Sequence, residues 1–315
     1  MTGRNAKSGH DGPVVSQPVV AQPVVNVPVV PSPIVNAMTV DVEEYFQVSA
    51  FSGLIDPTDW PNLPSRIEDN MDRLLALLEE HDARCTFFTL GWIAERHKSV
   101  VRKIIDSGHE LASHGYGHVR ASAQNSDQFR SDIRRTKDIL EDVGGVAVNG
   151  YRAASFSFDT TNPWAHTVLA EEGYHYSSSI YPIRHDHYGV PDAPRFTYAP
   201  VGKNGAIEFP LTTVKFLGRN FPCAGGGYFR LLPYKFSHWA VKKVNEEDQH
   251  PAIFYFHPWE IDPDQPRPCN PGIKTRFRHY VNLNAMERKL SRLLSDFSWD
   301  RIDRVFDCQN GSDSA

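Results

Sequence analysis

Gly108-His109-Glu110-Leu111-Ala112-Ser113-His114-Gly115-Tyr116-Gly117-His118 is a short apolar run that ends in two histidines four residues apart. The run reads as a strand leading into the pair. On a helical turn, positions i and i+4 share a face, which brings two neutral imidazoles within reach of one divalent ion. Two ligands do not complete a site: a catalytic centre of the zinc type takes a third protein ligand and keeps a position open. His-x-x-x-His pairs also occur without metal, so the rest of the chain has to supply a third ligand, a base and an acid.

Upstream, Ala37-Met38-Thr39-Val40-Asp41-Val42-Glu43 alternates as a strand does, which sets Asp41 and Glu43 on one face and Val40 and Val42 on the other. Two buried carboxylates side by side need a compensating cation. Ser65 and Glu68 form a capping-box pattern ahead of Ile67, Met71, Leu74, Leu75 and Leu78 at helical spacing. Residues 84–90 read as a strand, residues around Val100 to Ile105 as a helix, 127–143 as a helix, 146–152 as a strand ending in Arg152, 163–172 as a helix and 174–180 as a strand. Strand-helix alternation over short connections predicts parallel βαβ units closing into a barrel or a doubly wound sheet. In either, catalytic groups gather where strand C-termini meet the loops. Asp41, Glu43, His114, His118 and Arg152 all fall at such ends. After residue 183 the rhythm becomes irregular. A strand is predicted at 206–211, a glycine turn at 223–229, a helix at 233–247 and a buried strand at 252–256 running into His257-Pro258-Trp259-Glu260. A last helix carries Met286, Leu290, Leu293 and Leu294, followed by a polar tail.

The 315 residues carry a formal net charge of -5, with no basic stripe pointing to nucleic acid. The four cysteines are far apart and read as reduced structural thiols. No apolar run is long enough for a transmembrane segment. Residues 1–36 carry Pro13, Pro18, Pro23 and Pro28 in Pro-Val-Val units, which forbids a continuous helix and reads as a disordered, extended tail rather than a signal peptide.

The residue types fit metal-assisted hydrolysis, which needs a Lewis acid, a base, a donor for the developing oxyanion and an acid for the leaving group. Glu43, His114 and His118 form a two-histidine, one-carboxylate ligand set, with Glu44 as the alternative to Glu43. Asp41 is the base candidate, Arg152 the cation that keeps it ionised, and His257 the acid. In order, Thr39-Val40-Asp41-Val42-Glu43, Ser113-His114-Gly115-Tyr116-Gly117-His118, Tyr151-Arg152-Ala153-Ala154-Ser155, Tyr176-Ser177-Ser178-Ser179-Ile180-Tyr181-Pro182 and Phe256-His257-Pro258-Trp259 resemble the five motifs of NodB-type polysaccharide deacetylases, carbohydrate esterase family 4. The opening Val-Asp-Val-Glu-Glu-Tyr-Phe, the Gly225-Gly226-Gly227-Tyr228-Phe229-Arg230 segment and His257-Pro258-Trp259-Glu260 look more narrowly like deacetylases of bacterial exopolysaccharide clusters associated with exosortase-type sorting.

The resemblance implies an α/β fold of the distorted (β/α)7-type barrel, with a catalytic domain over 37–262 and a C-terminal extension over 263–310 packed on the barrel. It also implies a divalent metal, zinc first with cobalt, nickel or manganese as alternatives, and removal of N-acetyl groups from an N-acetylhexosamine polysaccharide. Two departures stand out. Val42 occupies the place of the family's second aspartate, which shifts the ligand to Glu43. Ala153-Ala154-Ser155 lacks the family's proline and aromatic residue, which leaves the Ser155 backbone N–H as oxyanion donor. Tyr181 belongs to the acetate-pocket segment, and Trp259 either packs beneath His257 or lines the sugar groove. Rival readings are an amide or imide hydrolase acting on a small non-sugar substrate and a catalytically silent glycan-binding protein. The expected location is cytoplasmic, at the inner membrane face if the substrate is lipid-linked, with self-association left open.

Overall fold

Eight parallel strands form the main sheet of the computed structural model, which describes residues 34–202 and 205–308. In chain order the elements are β1 (Val35–Val42), α1 (Ile67–Glu80), β2 (Thr86–Thr89), α2 (Gly91–Arg96), α3 (Lys98–Asp106), β3 (Glu110–Ser113), α4 (Ser126–Gly144) and β4 (Gly150–Tyr151). These are followed by α5 (Ala165–Glu171), β5 (Tyr176–Ser177), β6 (Ile207–Glu208), the hairpin β7 (Thr213–Phe216) and β8 (Arg219–Pro222), α6 (Gly226–Leu231), α7 (Tyr234–Glu246) and β9 (Ile253–Phe256). The last are α8 (Ile273–Tyr280), α9 (Leu283–Asp296), β10 (Ser298–Asp300) and α10 (Ile302–Val305). β1 through β6 pair in sequence order, while β9 and β10 share the other edge of β1, β9 along its later half and β10 along its start. The sheet curls into the distorted (β/α) barrel expected of the chain. On the far side of the curl, the Ile253 N–H donates to Thr212 Oγ1 at 2.6 Å, a side-chain bridge between β9 and the segment after β6.

Alternation along β1 sorts the core into two layers. Met38, Val40 and Val42 face outward with Phe87, Phe254 and Phe256, under Met71, Leu74 and Leu78 of α1 and Met286, Leu290 and Leu293 of α9. Ala37 faces the interior with Phe88, Ala112, Tyr176, Phe209 and Tyr255. Removing one of these buried side chains, for example Leu74→Ala, costs roughly 2–5 kcal/mol. Asp41 has the parity of Ala37 and so projects into the barrel, as the strand alternation predicts.

Several expectations are corrected. The histidine pair is not on a helical turn: β3 ends at Ser113, and a loop follows with Gly115 at φ +74° and His118 at φ +54°. The chain bends back sharply enough to do what one helical turn would do. Ser65 and Glu68 form no capping box. The carboxylate of Glu44 instead accepts from Arg66 N, Ile67 N and Ser65 Oγ and so caps α1 from a distant loop. The strand predicted at 146–152 shrinks to Gly150–Tyr151, and the glycine segment turns into α6 from Gly226 onward. β1 begins at Val35, inside the stretch read as tail; residues 1–33 of that stretch lie outside the described residues. The C-terminal stretch read as an extension does more than pack on the barrel, because β10 pairs directly with β1 where a polar tail was expected. The β7–β8 hairpin has no counterpart in the sequence reading.

Candidate active site

Parallel pairing aligns the C-terminal ends of β1, β3, β4 and β9, and each delivers a polar side chain to one place. Asp41 is on β1 with Glu43 just past its end, His114 follows β3, Arg152 follows β4, and His257 follows β9. One ligand atom from each of Glu43, His114 and His118 lies within 4.8 Å of the others. Glu44, the alternative third ligand, is committed to capping α1.

Within the triad the donors are directed. The His114 Nδ1–H is positioned to donate to Arg152 O at 2.8 Å, a bond that fixes the tautomer and leaves Nε2 free. Glu43 Oε1 accepts from Trp259 Nε1 at 3.2 Å, while the buried Glu43 Oε2 has no hydrogen-bond partner, although His118 Nε2 stands 3.0 Å away. An orphaned buried carboxylate oxygen facing two imidazole nitrogens is a donor set that could hold a divalent cation. Burial depresses the pKa of both histidines, that of His118 to about 4, so both are neutral and competent to ligate at neutral pH. The His114–His118 loop is held from behind. Gly91 N and Trp92 N, at the start of α2, donate to Gly115 O and Tyr116 O, and Asp132 of α4 accepts from Tyr116 N. A Cβ on Gly115 would come within 2.9 Å of Asp132 Oδ2, at a φ that other residues seldom adopt.

Beside the triad lies an ion pair. Arg152 Nη1 donates to Asp41 Oδ1 at 2.6 Å and to Thr39 Oγ1 at 2.8 Å, and its other nitrogens bond Ser178 O and Ser178 Oγ. Its guanidinium lies over the Phe88 ring. Burial opposes the Asp41 charge, but Arg152, joined by His114 and His257, outweighs it and holds the carboxyl below its ordinary range. This arrangement answers the burial problem of Asp41, while Glu43 keeps one buried oxygen unpaired.

Opposite Asp41, His257 presents Nε2 at 3.9 Å from Asp41 Oδ2 and 3.5 Å from Glu43 Oε1. Its Nδ1 and backbone N–H both bond Glu260 Oε2, and Glu260 Oε1 accepts from Arg230 Nε at 2.8 Å. Burial again opposes the His257 charge, yet Glu43, Glu260 and Asp41 raise its pKa to about 9. Glu260 and Arg230 are missed by the sequence reading, because nothing in their spacing foretells that α6 brings Arg230 against the turn after β9. One signal is present: a Cβ on Gly226 would fall 1.8 Å from Glu260 Oε2, so the glycine run clears space for this carboxylate.

Two of the remaining candidates are buried side chains. Tyr181 is fully buried, with its hydroxyl donating to Ala224 O at 2.5 Å, so its ring packs in the core. Trp259 is buried and stacks between His257 and His279, at ring separations of 5.1 and 4.2 Å, so of its two expected places it takes the one beneath the acid candidate. Ser155 is partly exposed at φ +52°, with its hydroxyl 2.6 Å from that of Ser49. His109 is a core histidine whose Nδ1 accepts from Cys85 N, and His185 and His187 lie in a surface loop beside Asp186.

Comparison with known proteins shows what the chain resembles as a whole. Residues 59–176 match the polysaccharide deacetylase family, and residues 178–307 match a domain of unknown function, DUF3473, which contains Arg230, His257, Trp259 and Glu260. A peptidoglycan-N-acetylglucosamine deacetylase of Bacillus cereus is 32% identical over 111 residues, 34% of this chain and 38% of that protein. A peptidoglycan deacetylase of Helicobacter pylori is 27% identical over 113 residues, 36% of this chain and 38% of that protein. The matched region thus spans under two-fifths of these relatives' length. Among solved structures, a Mycobacterium smegmatis protein classed with the polysaccharide deacetylases superposes with a TM-score of 0.54 at 19% identity, over 88% of this chain and 93% of that one. An allantoinase superposes at 0.57 with 15% identity, over 89% and 91%; likeness at this level is likeness of fold. With the barrel, the ordered motifs and the matched segment taken together, residues 59–176 of the chain are similar to the polysaccharide deacetylase family, on a fold shared with the M. smegmatis structure.

Proposed function

We propose that the protein is a divalent-metal-dependent hydrolase that removes N-acetyl groups from an N-acetylglucosamine-type polysaccharide. The observation that carries this reading is the orphaned, buried Glu43 Oε2 facing His114 and His118, set between the Asp41–Arg152 pair and the Glu260-held His257. Glu43, His114 and His118 would hold the ion, with zinc favoured by the two-nitrogen, one-oxygen donor set. Bound there, such an ion supplies Lewis acidity, which polarises an amide carbonyl and lowers the pKa of water.

The chain's own groups account for the proton movements. Asp41, kept ionised by Arg152, takes the proton of the attacking water. His257, kept protonated by the carboxylates around it, gives a proton from Nε2 to the leaving amine. The Ser155 backbone N–H is the candidate donor to the developing oxyanion. Support for an acetylated glycan as substrate comes from the B. cereus and H. pylori relatives, which are peptidoglycan deacetylases. The narrower choice of an exopolysaccharide rests on the Gly225–Arg230 and His257–Glu260 segments.

The test is acetate release from N-acetylglucosamine oligomers and from de novo polymer extracts, with and without chelator, using His114→Ala as control. Release that stops on chelation, returns with zinc and is absent in His114→Ala is expected. Glycan binding with no acetate released at any metal or pH would instead identify a silent binding protein, and release from small cyclic amides or imides alone would identify the rival hydrolase.

A further inference from the structure

Between Glu208 and Glu246 the chain has no Asp or Glu, although the molecule carries 38 of them in 315 residues. The same stretch holds Lys215, Arg219, Arg230, Lys235, Lys242 and Lys243. Arg230 is buried against Glu260, and Lys242 and Lys243 pair with Glu246 and Glu247 beyond the stretch. Lys215, Arg219 and Lys235 are exposed. Asp248, which approaches the hairpin's base, is paired with Arg195, which also donates to Thr213 O.

This carboxylate-free segment displays an apolar surface. Phe216, Leu217, Phe221 and Trp239 are 49%, 85%, 40% and 39% exposed. The Phe216 ring lies 6.0 Å from Phe221 and 6.3 Å from Trp239, so the side chains form one patch, with Leu217 at the turn of the hairpin. Leu217 sits at φ +48°, a left-handed conformation that suits glycine or asparagine and is sterically unfavourable for leucine. Folding does not account for it, because Val214 and Cys223 already anchor the hairpin on Ala240 and Phe236 of α7.

We propose that the β7–β8 hairpin tip and the Trp239 face of α7 are a peripheral docking surface for an anionic lipid bilayer. Leu217 and Phe216 would enter the boundary between headgroups and acyl chains, Trp239 and Phe221 would lie at headgroup level, and Lys215, Arg219 and Lys235 would meet lipid phosphates. Among the described residues no helix is long and apolar enough to cross a membrane, so the contact is one of surface docking. Charge argues against a second copy as occupant, since apposing two such patches would bring their cations together.

The experiment is vesicle flotation of the full chain with phosphatidylcholine alone and with an equimolar phosphatidylcholine–phosphatidylglycerol mixture, over a range of salt. Binding to the mixed vesicles that weakens with salt is expected. Leu217→Asn, which suits the turn and leaves the fold intact, is expected to weaken partition about ten-fold. The double change Lys215→Ser, Arg219→Ser is expected to flatten the salt dependence. No flotation on the mixed vesicles, or Leu217→Asn binding as well as the unaltered chain, overturns the proposal. A concentration-dependent dimer that Leu217→Asn dissolves, or patch-dependent binding to acetylated glycan without lipid binding, overturns it in favour of those occupants.

Discussion

Replacing Trp259 with phenylalanine tests the proposed metal centre through a residue outside the candidate ligand set. The indole N–H donates to Glu43 Oε1, which leaves Oε2 as the oxygen turned toward the histidines. A hydrogen bond to a charged acceptor is worth about 1.5–3 kcal/mol. If all of it serves to hold Glu43 in the ligating pose, its loss weakens ion binding by roughly 10- to 100-fold, the range found for outer-shell partners of metal ligands. Phenylalanine retains a ring between His257 and His279, so the stack survives in reduced form. The assay is zinc affinity by competition with a chromophoric chelator, alongside thermal unfolding in chelator to separate local from global effects. An affinity within two-fold of the unaltered chain, with unfolding equally unchanged, would refute the claim that the indole orients Glu43; His114→Ala marks the level expected when a ligand is lost.

Glu260→Gln is expected to lower acetate release by about 100-fold, the lower end of general acid catalysis, and also to destabilise the fold, because buried Arg230 loses its charge partner; kinetics and calorimetry on one preparation check both. Glu44→Ala should cost about 1 kcal/mol through loss of the α1 cap and leave zinc affinity unchanged, whereas Glu43→Ala should abolish tight zinc binding; denaturant melts and chelator competition separate the two. Glu110, buried beneath the barrel with Thr86, Tyr176 and Asp303 around it, has its pKa pushed up to about 7 by burial and by the Asp303 charge. A carboxyl whose folded pKa is raised contributes stability that is complete below its unfolded value of 4.5 and is lost as pH rises through about 7. Unfolding free energy should therefore fall between pH 5 and 8 on the order of a few kcal/mol, and Glu110→Gln should flatten that slope.

What was legible in the sequence follows from short-range periodicity. Alternation along residues 37–43 placed Asp41 and Glu43 on one face, helical spacing located α1, α4, α7 and α9, and strand-end positions marked Asp41, His114, Arg152 and His257 as neighbours in a parallel sheet. Parallel strands make this inference sound, because their C-terminal ends must lie together whatever the loops do. Partnership across distant chain could be decided only by the tertiary structure. Glu44 caps α1 in place of Ser65, Glu260 and Arg230 hold His257, Tyr181 turns into the core, and β10 joins β1 from the far end of the chain. Each of these depends on which buried polar atom finds a partner once the barrel has closed, and desolvation penalises every atom that does not. The histidine pair shows both sides: its spacing names the candidate ligands, but a loop with two left-handed residues, braced by α2 and Asp132, is what aims them at Glu43.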